Sequence, residues 1–279
     1  MELRLRQPDL EIEEEIVEDN AIRPVIKYPG GKSGIAEILC ELAPREFGVY
    51  FEIFGGGLGF GLRLLQKNRV EEVVVSDVNI QLITLYWALV EDPRRIRDLL
   101  ASPKFENTEE NFYAIRKMDR NKDWHSYMCA PENRFYIAAR VIFLSKLSFN
   151  GLWRENQRGE HNGPYCKDPS KTTFQEDNLN AVAEALKSAH IVSSDFMSLF
   201  YEAVNYSITG NHELMICPQD FIFMDPPYVE SWNSYTGKKW DYVDLEVILR
   251  QMKVYSCMGA FVMVTMKDTE KVREMFTDY

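Results

Sequence analysis

The sharpest chemical signal in the chain is Phe221-Ile222-Phe223-Met224-Asp225-Pro226-Pro227-Tyr228, four apolar residues running into an acid, two prolines and an aromatic ring. Proline fixes φ and biases the residue before it to extended backbone, so Asp225 and Tyr228 are held stiffly at a strand end. That placement suits an amine conjugated to a planar ring, such as N6 of adenine. The lone pair of such a nitrogen is delocalised, which makes it a poor nucleophile. Acceptors set against its two N–H bonds favour the tetrahedral, electron-rich form. The Asp225 carboxylate and the Pro226 carbonyl supply two acceptors, and Tyr228 offers a face on which a base can stack. A plain proline turn accounts for the stiffness but not for the acid and the ring that flank it.

A second cluster lies earlier. Val49–Phe54 reads as a buried strand that runs into Gly55-Gly56-Gly57, with Gly59 and Gly61 close behind. Glycine permits close backbone approach and unusual dihedrals at a strand–helix turn, as a nucleotide-like ligand requires. Asp77 follows the next strand, twenty residues past Gly57, the offset at which an acid accepts bonds from ribose hydroxyls. Taken singly, the glycines fit an empty turn and Asp77 fits a helix cap. Together they favour a nucleoside site. Gly30-Gly31-Lys32-Ser33 looks like the end of a phosphate-binding loop, but position 26, where that motif needs glycine, is Ile26.

The elements that must position these groups alternate. Val25–Tyr28 reads as a short extended run. Ser33 is expected to cap a helix whose Ile35, Ile38, Leu39 and Leu42 repeat at helical spacing up to Pro44. A helix follows the glycines as far as Leu65, Val73–Ser76 reads as a strand, and Asp77 is expected to open a helix to about Val90. The middle is helical near 93–101, 109–118 and 132–147, then polar and loop-like from Phe149 to Asn178, a length typical of functional loops. Alternation resumes with a helix at 179–188, strand His190–Ser193, a helix after Asp195, strand Phe221–Met224, helix Val243–Lys253, strand Phe261–Thr265 and helix Thr269–Phe276. This order predicts an α/β fold with a mostly parallel sheet covered on both faces, interrupted by a helical inserted subdomain. Ligands of such sheets bind beyond the carboxyl ends of the strands, where both clusters fall.

Bulk properties set limits. With 46% hydrophobic and 27% charged residues the chain is of ordinary globular composition. No apolar run is long enough for a membrane span, and the charged start has no secretory apolar segment. Five scattered cysteines without a CxxC pair, and four histidines without ligand spacing, predict neither a disulfide framework nor a metal site, and fit a cytoplasmic location. The net charge of −11 argues against a nucleic-acid partner until its distribution is considered. Residues 1–20 hold eight acids against Arg4 and Arg6, and residues 1–21 read as an acidic, mobile lead-in. The segment Ser145–Lys171 is net basic through Lys146, Arg154, Arg158, Lys167 and Lys171.

The ordered set Lys27-Tyr28-Pro29-Gly30-Gly31-Lys32, Phe51-Glu52-Ile53-Phe54-Gly55-Gly56-Gly57, Ser76-Asp77-Val78-Asn79, Phe149-Asn150-Gly151-Leu152-Trp153-Arg154, Ser194-Asp195-Phe196 and Asp225-Pro226-Pro227-Tyr228 resembles the Dam-type, D12-class adenine-specific DNA methyltransferases over residues 23–279. The resemblance implies a Rossmann-like methyltransferase sheet, residues 22–91 and 179–279, around a target-recognition insert at 92–178. It implies methyl transfer from S-adenosylmethionine to adenine N6 in double-stranded DNA, on a base flipped out of the duplex, and a possible cognate restriction endonuclease. By the same resemblance Tyr28 and Lys32 pack against the cofactor, Glu52, Phe54, Gly55 and Gly57 line its methionine end, and Asp77 its ribose. Asp195 and Phe196 lie near its adenine, and Asp225 bridges cofactor and target base. Asn150, Leu152 and Arg154 match the base-reading hairpin, with Lys27, Asn162 and Lys171 as further DNA contacts. Asp168 stands where the family often carries an aromatic, and Ile53 where it usually carries proline. The family pattern continues past the strand at Phe261–Thr265, so a chain ending at Tyr279 is expected to leave that strand at an edge. Cytosine N4, adenine N6 in RNA, or an inactive DNA-binding module remain open as alternatives at this point.

Overall fold

The computed structural model describes residues 21–201, 215–229, 232–233 and 238–277. Five strands form one parallel sheet: β1 (Tyr50–Glu52), β2 (Val73–Asp77), β3 (His190–Ser193), β4 (Phe221–Met224) and β7 (Phe261–Val264), in the order β3-β2-β1-β4-β7. A separate antiparallel ribbon pairs β5 (Trp232–Asn233) with β6 (Lys238–Lys239). The three inner strands β1, β2 and β4 are buried along their whole length, as continuous apolar strands covered on both faces should be. The outer strands β3 and β7 are only partly covered. Chain order reverses between β1 and β4, so the carboxyl ends of these two strands open onto the crevice where such sheets take ligands.

Successive strand residues point to opposite faces, and two cores result. Tyr50, Val73, Val75, Phe221 and Phe223 pack on one side with α2 (Gly59–Gln66), α3 (Ile80–Glu91), α4 (Pro93–Leu100), α5 (Glu109–Arg116), α7 (Arg134–Leu147) and α8 (Glu176–Ala185). Phe51, Val74, Ile222 and Met224 pack on the other with α9 (Tyr242–Cys257) and α10 (Glu270–Met275). The helical middle, which also holds α6 (Trp124–Cys129), has no core of its own. Phe105, Phe112 and Phe143 belong to the same apolar cluster as the sheet residues. α7 is buried nearly all round, including Arg140. That guanidinium is tolerated because it donates to the Gln81 amide oxygen at 2.8 Å, to Asp119 at 2.6 Å and to the Ile115 carbonyl at 3.2 Å.

Local details differ from the sequence reading in three places. Ser33–Ile35 forms a 3₁₀ turn and α1 (Ala36–Leu42) begins after it, without a side-chain cap from Ser33. In this register Ala36, Leu39 and Cys40 face inward, and Ile35, Ile38 and Leu42 face solvent. Asp77 does not cap α3. It is the last paired residue of β2, and Asn79 caps the helix by accepting the Gln81 N–H at 3.0 Å. Val25–Tyr28 does not join the sheet; Lys27 instead forms a single bridge to Leu152, with the Trp153 N–H donating to the Lys27 carbonyl at 3.2 Å. The loop after α7 runs from 149 to 175, close to the predicted span. The acidic lead-in, apart from Ala21, lies outside the described residues.

Candidate active site

β4 delivers Asp225 to the crevice, and the two following prolines keep the chain extended there. Both oxygens of its carboxylate are engaged. Lys32, itself buried, donates to Oδ2 and also to the Gly30 carbonyl at 2.6 Å. From the other side the Thr265 hydroxyl donates to Oδ1 at 2.5 Å. Register explains the second contact: Met224 pairs with Val264, so the next residues of β4 and β7 lie side by side past the sheet. Burial raises the Asp225 pKa, against the opposing pull of Lys32 and Thr265. The same lysine sits 5.5 Å from the centre of the Tyr228 ring. Gly30-Gly31-Lys32-Ser33 thus serves to send a cation to a carboxylate, not to cradle a phosphate.

The glycine turn after β1 is built for close approach. Gly55 donates to the Ser76 carbonyl at 2.8 Å, and Gly56, at φ 49°, donates to Asp77 Oδ2 at 2.8 Å. A Cβ on Gly61 would overlap the Glu52 carboxylate, which accepts the Gly61 N–H at 3.1 Å. Glu52 is fully enclosed, and desolvation pushes its pKa up to about 8, against the pull of the Tyr50 hydroxyl and the Gly61 N–H. Asp77 accepts a second N–H, from Asn79 at 2.8 Å onto Oδ1, and burial likewise raises its pKa. Phe54, Phe196 and Trp240 form an aromatic corner with ring centres 5.4–6.0 Å apart. Asp195 caps the helical turn that starts at Phe196, accepting N–H groups from Met197 at 3.0 Å and Ser198 at 3.1 Å.

These groups enclose one cavity of about 720 Å³, within the range of small-molecule sites. It brings together Tyr28, Lys32, Glu52, Phe54, Gly55, Gly57, Asp77, Asp195, Phe196, Asp225, Pro226 and Tyr228, which the sequence placed in the site, and also Leu152 and Arg154 of the hairpin. Lys27, Asn150, Asn162 and Lys171 lie outside it. Lys27, Asn150 and Asn162 are exposed and Lys171 is half-buried. Lys171 approaches Lys146, whose pKa falls through burial and through this second cation. Asn150 (φ 58°) and Gly151 (φ 66°) take left-handed backbone in the turn that leads from α7 into the hairpin, and Phe149 beside them is exposed.

Sequence reasoning missed Thr265, Trp240 and Glu155, and gave Trp153, quoted with the hairpin motif, no role in the cavity. Thr265 stood at the carboxyl end of a predicted strand, a position where a hydroxyl could have been flagged. Trp240 and Glu155 carry no spacing signal. Among the described residues no group of histidine, cysteine, aspartate and glutamate side chains could hold a metal ion, and no helix is long and apolar enough to cross a membrane.

The family model of the D12 class N6 adenine-specific DNA methyltransferases matches residues 28–279. The chain is 28% identical to the Type II methyltransferase M1.LlaDCHI of Lactococcus lactis subsp. cremoris, over 92% of this chain and 86% of that protein. It is 32% identical to the Type II methyltransferase M.MjaIII of Methanocaldococcus jannaschii, over 84% and 79% respectively. It is 25% identical to a DNA adenine methylase of Haemophilus influenzae, over 91% and 82%.

Proposed function

Because the chain belongs to the D12 class of N6 adenine-specific DNA methyltransferases, we propose that it takes methyl groups from S-adenosylmethionine, acts on adenines flipped out of duplex DNA, and works at a short site read by the insert at 92–178. Membership in this class does not favour cytosine N4 or RNA as the acceptor, or an inactive DNA-binding module. Relatives named as type II methyltransferases support a cognate restriction endonuclease as partner, and the reaction then belongs in the cytoplasm, where the DNA is.

The residues present fit the methyl donor. Asp77 keeps lone pairs for ribose hydroxyls, the Gly55–Gly57 turn and the buried Glu52 suit an amino-acid end with its ammonium, and the Phe54–Phe196–Trp240 corner suits a purine face. When bound, the donor supplies a methyl on a positively charged sulfur. The chain's own work is then positioning and electrostatics. Lys32 and Thr265 fix the Asp225 carboxylate from two sides, so its remaining lone pairs point a defined way. Those lone pairs and the Pro226 carbonyl accept the two amine N–H bonds, and Tyr228 stacks on the flipped base.

The observation that carries this reading is Asp225, clamped at the mouth between β1 and β4 in the same cavity as Asp77. Asp225→Ala should abolish transfer of labelled methyl to unmethylated DNA and leave duplex binding largely in place. Near-normal turnover by a folded Asp225→Ala protein would sink the amine-activation step.

A further inference from the structure

One wall of the cavity is formed by a side chain that the methyl chemistry does not use. Glu155 follows Arg154 in the hairpin, and its carboxylate turns back toward the start of α3. Oε1 collects three donors: the Trp153 indole N–H at 2.8 Å, the Gln81 amide at 3.4 Å and the Asn79 amide at 3.5 Å. Oε2 is buried and meets no donor among the described residues. Desolvation pushes the pKa up to about 7, against the pull of the Trp153 indole and the Arg140 guanidinium. A buried carboxylate with half its capacity empty costs free energy that docking a loop does not require, and such groups gather at functional sites.

The connections on either side of Glu155 lead to the two halves of the site. Asn79, one of its donors, gives its backbone N–H to Asp77 Oδ1 at 2.8 Å. Gln81, another donor, accepts at 2.8 Å from Arg140, which donates at 2.6 Å to Asp119. Asp119 in turn accepts the backbone N–H of His161 at 2.8 Å. His161 faces Glu155 across the hairpin. Both strands of the hairpin are therefore fastened to the amino end of α3, one directly and one through Arg140 and Asp119, and that end also fixes the ribose-facing carboxylate.

We propose that Glu155 is a positioning residue that couples occupancy of the nucleoside pocket to the seating of the DNA-reading hairpin. A ligand that pulls on Asp77 moves Asn79 and Gln81, and with them Glu155 and its neighbour Arg154. By linkage, DNA that seats the hairpin must tighten ligand binding by the same factor. The inference rests on the reading of the pocket and hairpin given above.

The test is a binding cycle on the full chain: calorimetric affinity for S-adenosylhomocysteine, with and without a duplex carrying the mapped methylation site. The wild-type protein should bind about fivefold or more tightly when the duplex is present. Glu155→Ala should bring that ratio to about one, whatever its effect on the duplex-free affinity. Glu155→Gln keeps the Oε1 acceptor and the shape, and should keep most of the ratio. A merely structural role would lower thermal stability and kcat and leave the ratio untouched, which would overturn the proposal, as would a wild-type ratio of one. If Glu155→Ala does not fold, Gln81→Leu cuts the connection to Arg140 at similar size and must lower the ratio too. Asp77→Ala, measured without duplex, separates the two levels: unchanged affinity there removes the pocket reading and this inference with it.

Discussion

Asp225 is more restrained than an acid at a strand end needs to be, and its restraints are testable one at a time. Thr265→Val removes a 2.5 Å hydrogen bond to the carboxylate and keeps the side-chain shape. A hydrogen bond to a charged group contributes about 1.5–3 kcal/mol, so kcat should fall at least about tenfold. Cofactor affinity should be nearly unchanged, because the bond matters when the amine is held. Steady-state kinetics that show a KM effect alone would assign Thr265 to binding instead. Glu52 gives a prediction in pH. Its folded pKa of about 8 lies above the ordinary 4.5, so the folded state keeps a proton that the unfolded state releases. The stability it contributes is complete below pH 4.5 and is lost as pH rises through 8. Glu52→Gln should flatten that loss in thermal melts from pH 5 to 8 and weaken S-adenosylmethionine binding at pH 8, stability and function pulling in opposite directions. A wild-type pH profile in the variant would refute the assignment. Asp225 and Asp77 were legible because each is an acid following a predicted strand, whereas Glu52, inside the predicted strand Val49–Phe54, was legible only through the family resemblance. Thr265 was not, because its importance comes from β7 lying beside β4, and strand order is a tertiary fact.

At the scale of elements, the hairpin after α7 shows how local sequence and long-range contacts divide the work. Asparagine followed by glycine readily takes consecutive left-handed conformations, and Asn150-Gly151 does so here. What the sequence could not show is how the hairpin is anchored: Arg116 donates to the Gly163 carbonyl at 2.9 Å, Asp119 holds the His161 N–H, and Arg140 lies behind both. The helix starts show the same division. Asp77 and Asn79 are equally good caps by residue type, and the pairing of Asp77 with Ser193 decides that Asn79 does the capping. Arg154 is exposed and lies on this anchored strand. Arg154→Ala should cost about 1–3 kcal/mol of discrimination at a guanine in the site. Lys171→Ala, beside Lys146, should weaken binding to all duplexes and flatten the salt dependence. Methylation rates on cognate and guanine-substituted duplexes separate the two roles. An equal loss on both for Arg154→Ala would make it another phosphate contact.

The whole molecule poses the question of whether the insert is a domain in the energetic sense. The alternating order of elements made a parallel sheet legible, and the break in that order marked 92–178 as an insertion. Composition and periodicity cannot say whether an insertion buries its apolar surface on itself or on its host. Here it is buried on the host. Phe105, Phe112, Phe143 and Leu147 share one cluster with Tyr50, Val73 and Phe221 of the sheet, and α3, which follows β2, packs along α7. The polar connections cross the same boundary, since Arg140 of α7 bonds Gln81 of α3. Unfolding the insert alone would strip one face of the sheet and strand a guanidinium without its partners, a cost of several kcal/mol. Such a molecule should unfold in one transition. Urea denaturation followed by far-ultraviolet circular dichroism, by the fluorescence of Trp124 in the insert and by that of Trp240 at the cavity, each with the other tryptophans replaced by phenylalanine, should give coincident midpoints. Saturating S-adenosylmethionine should then shift all three together, by about 2.7 kcal/mol at a hundredfold excess over Kd. A separate, earlier transition at Trp124 that the ligand leaves in place would show that the insert folds independently of the pocket it serves.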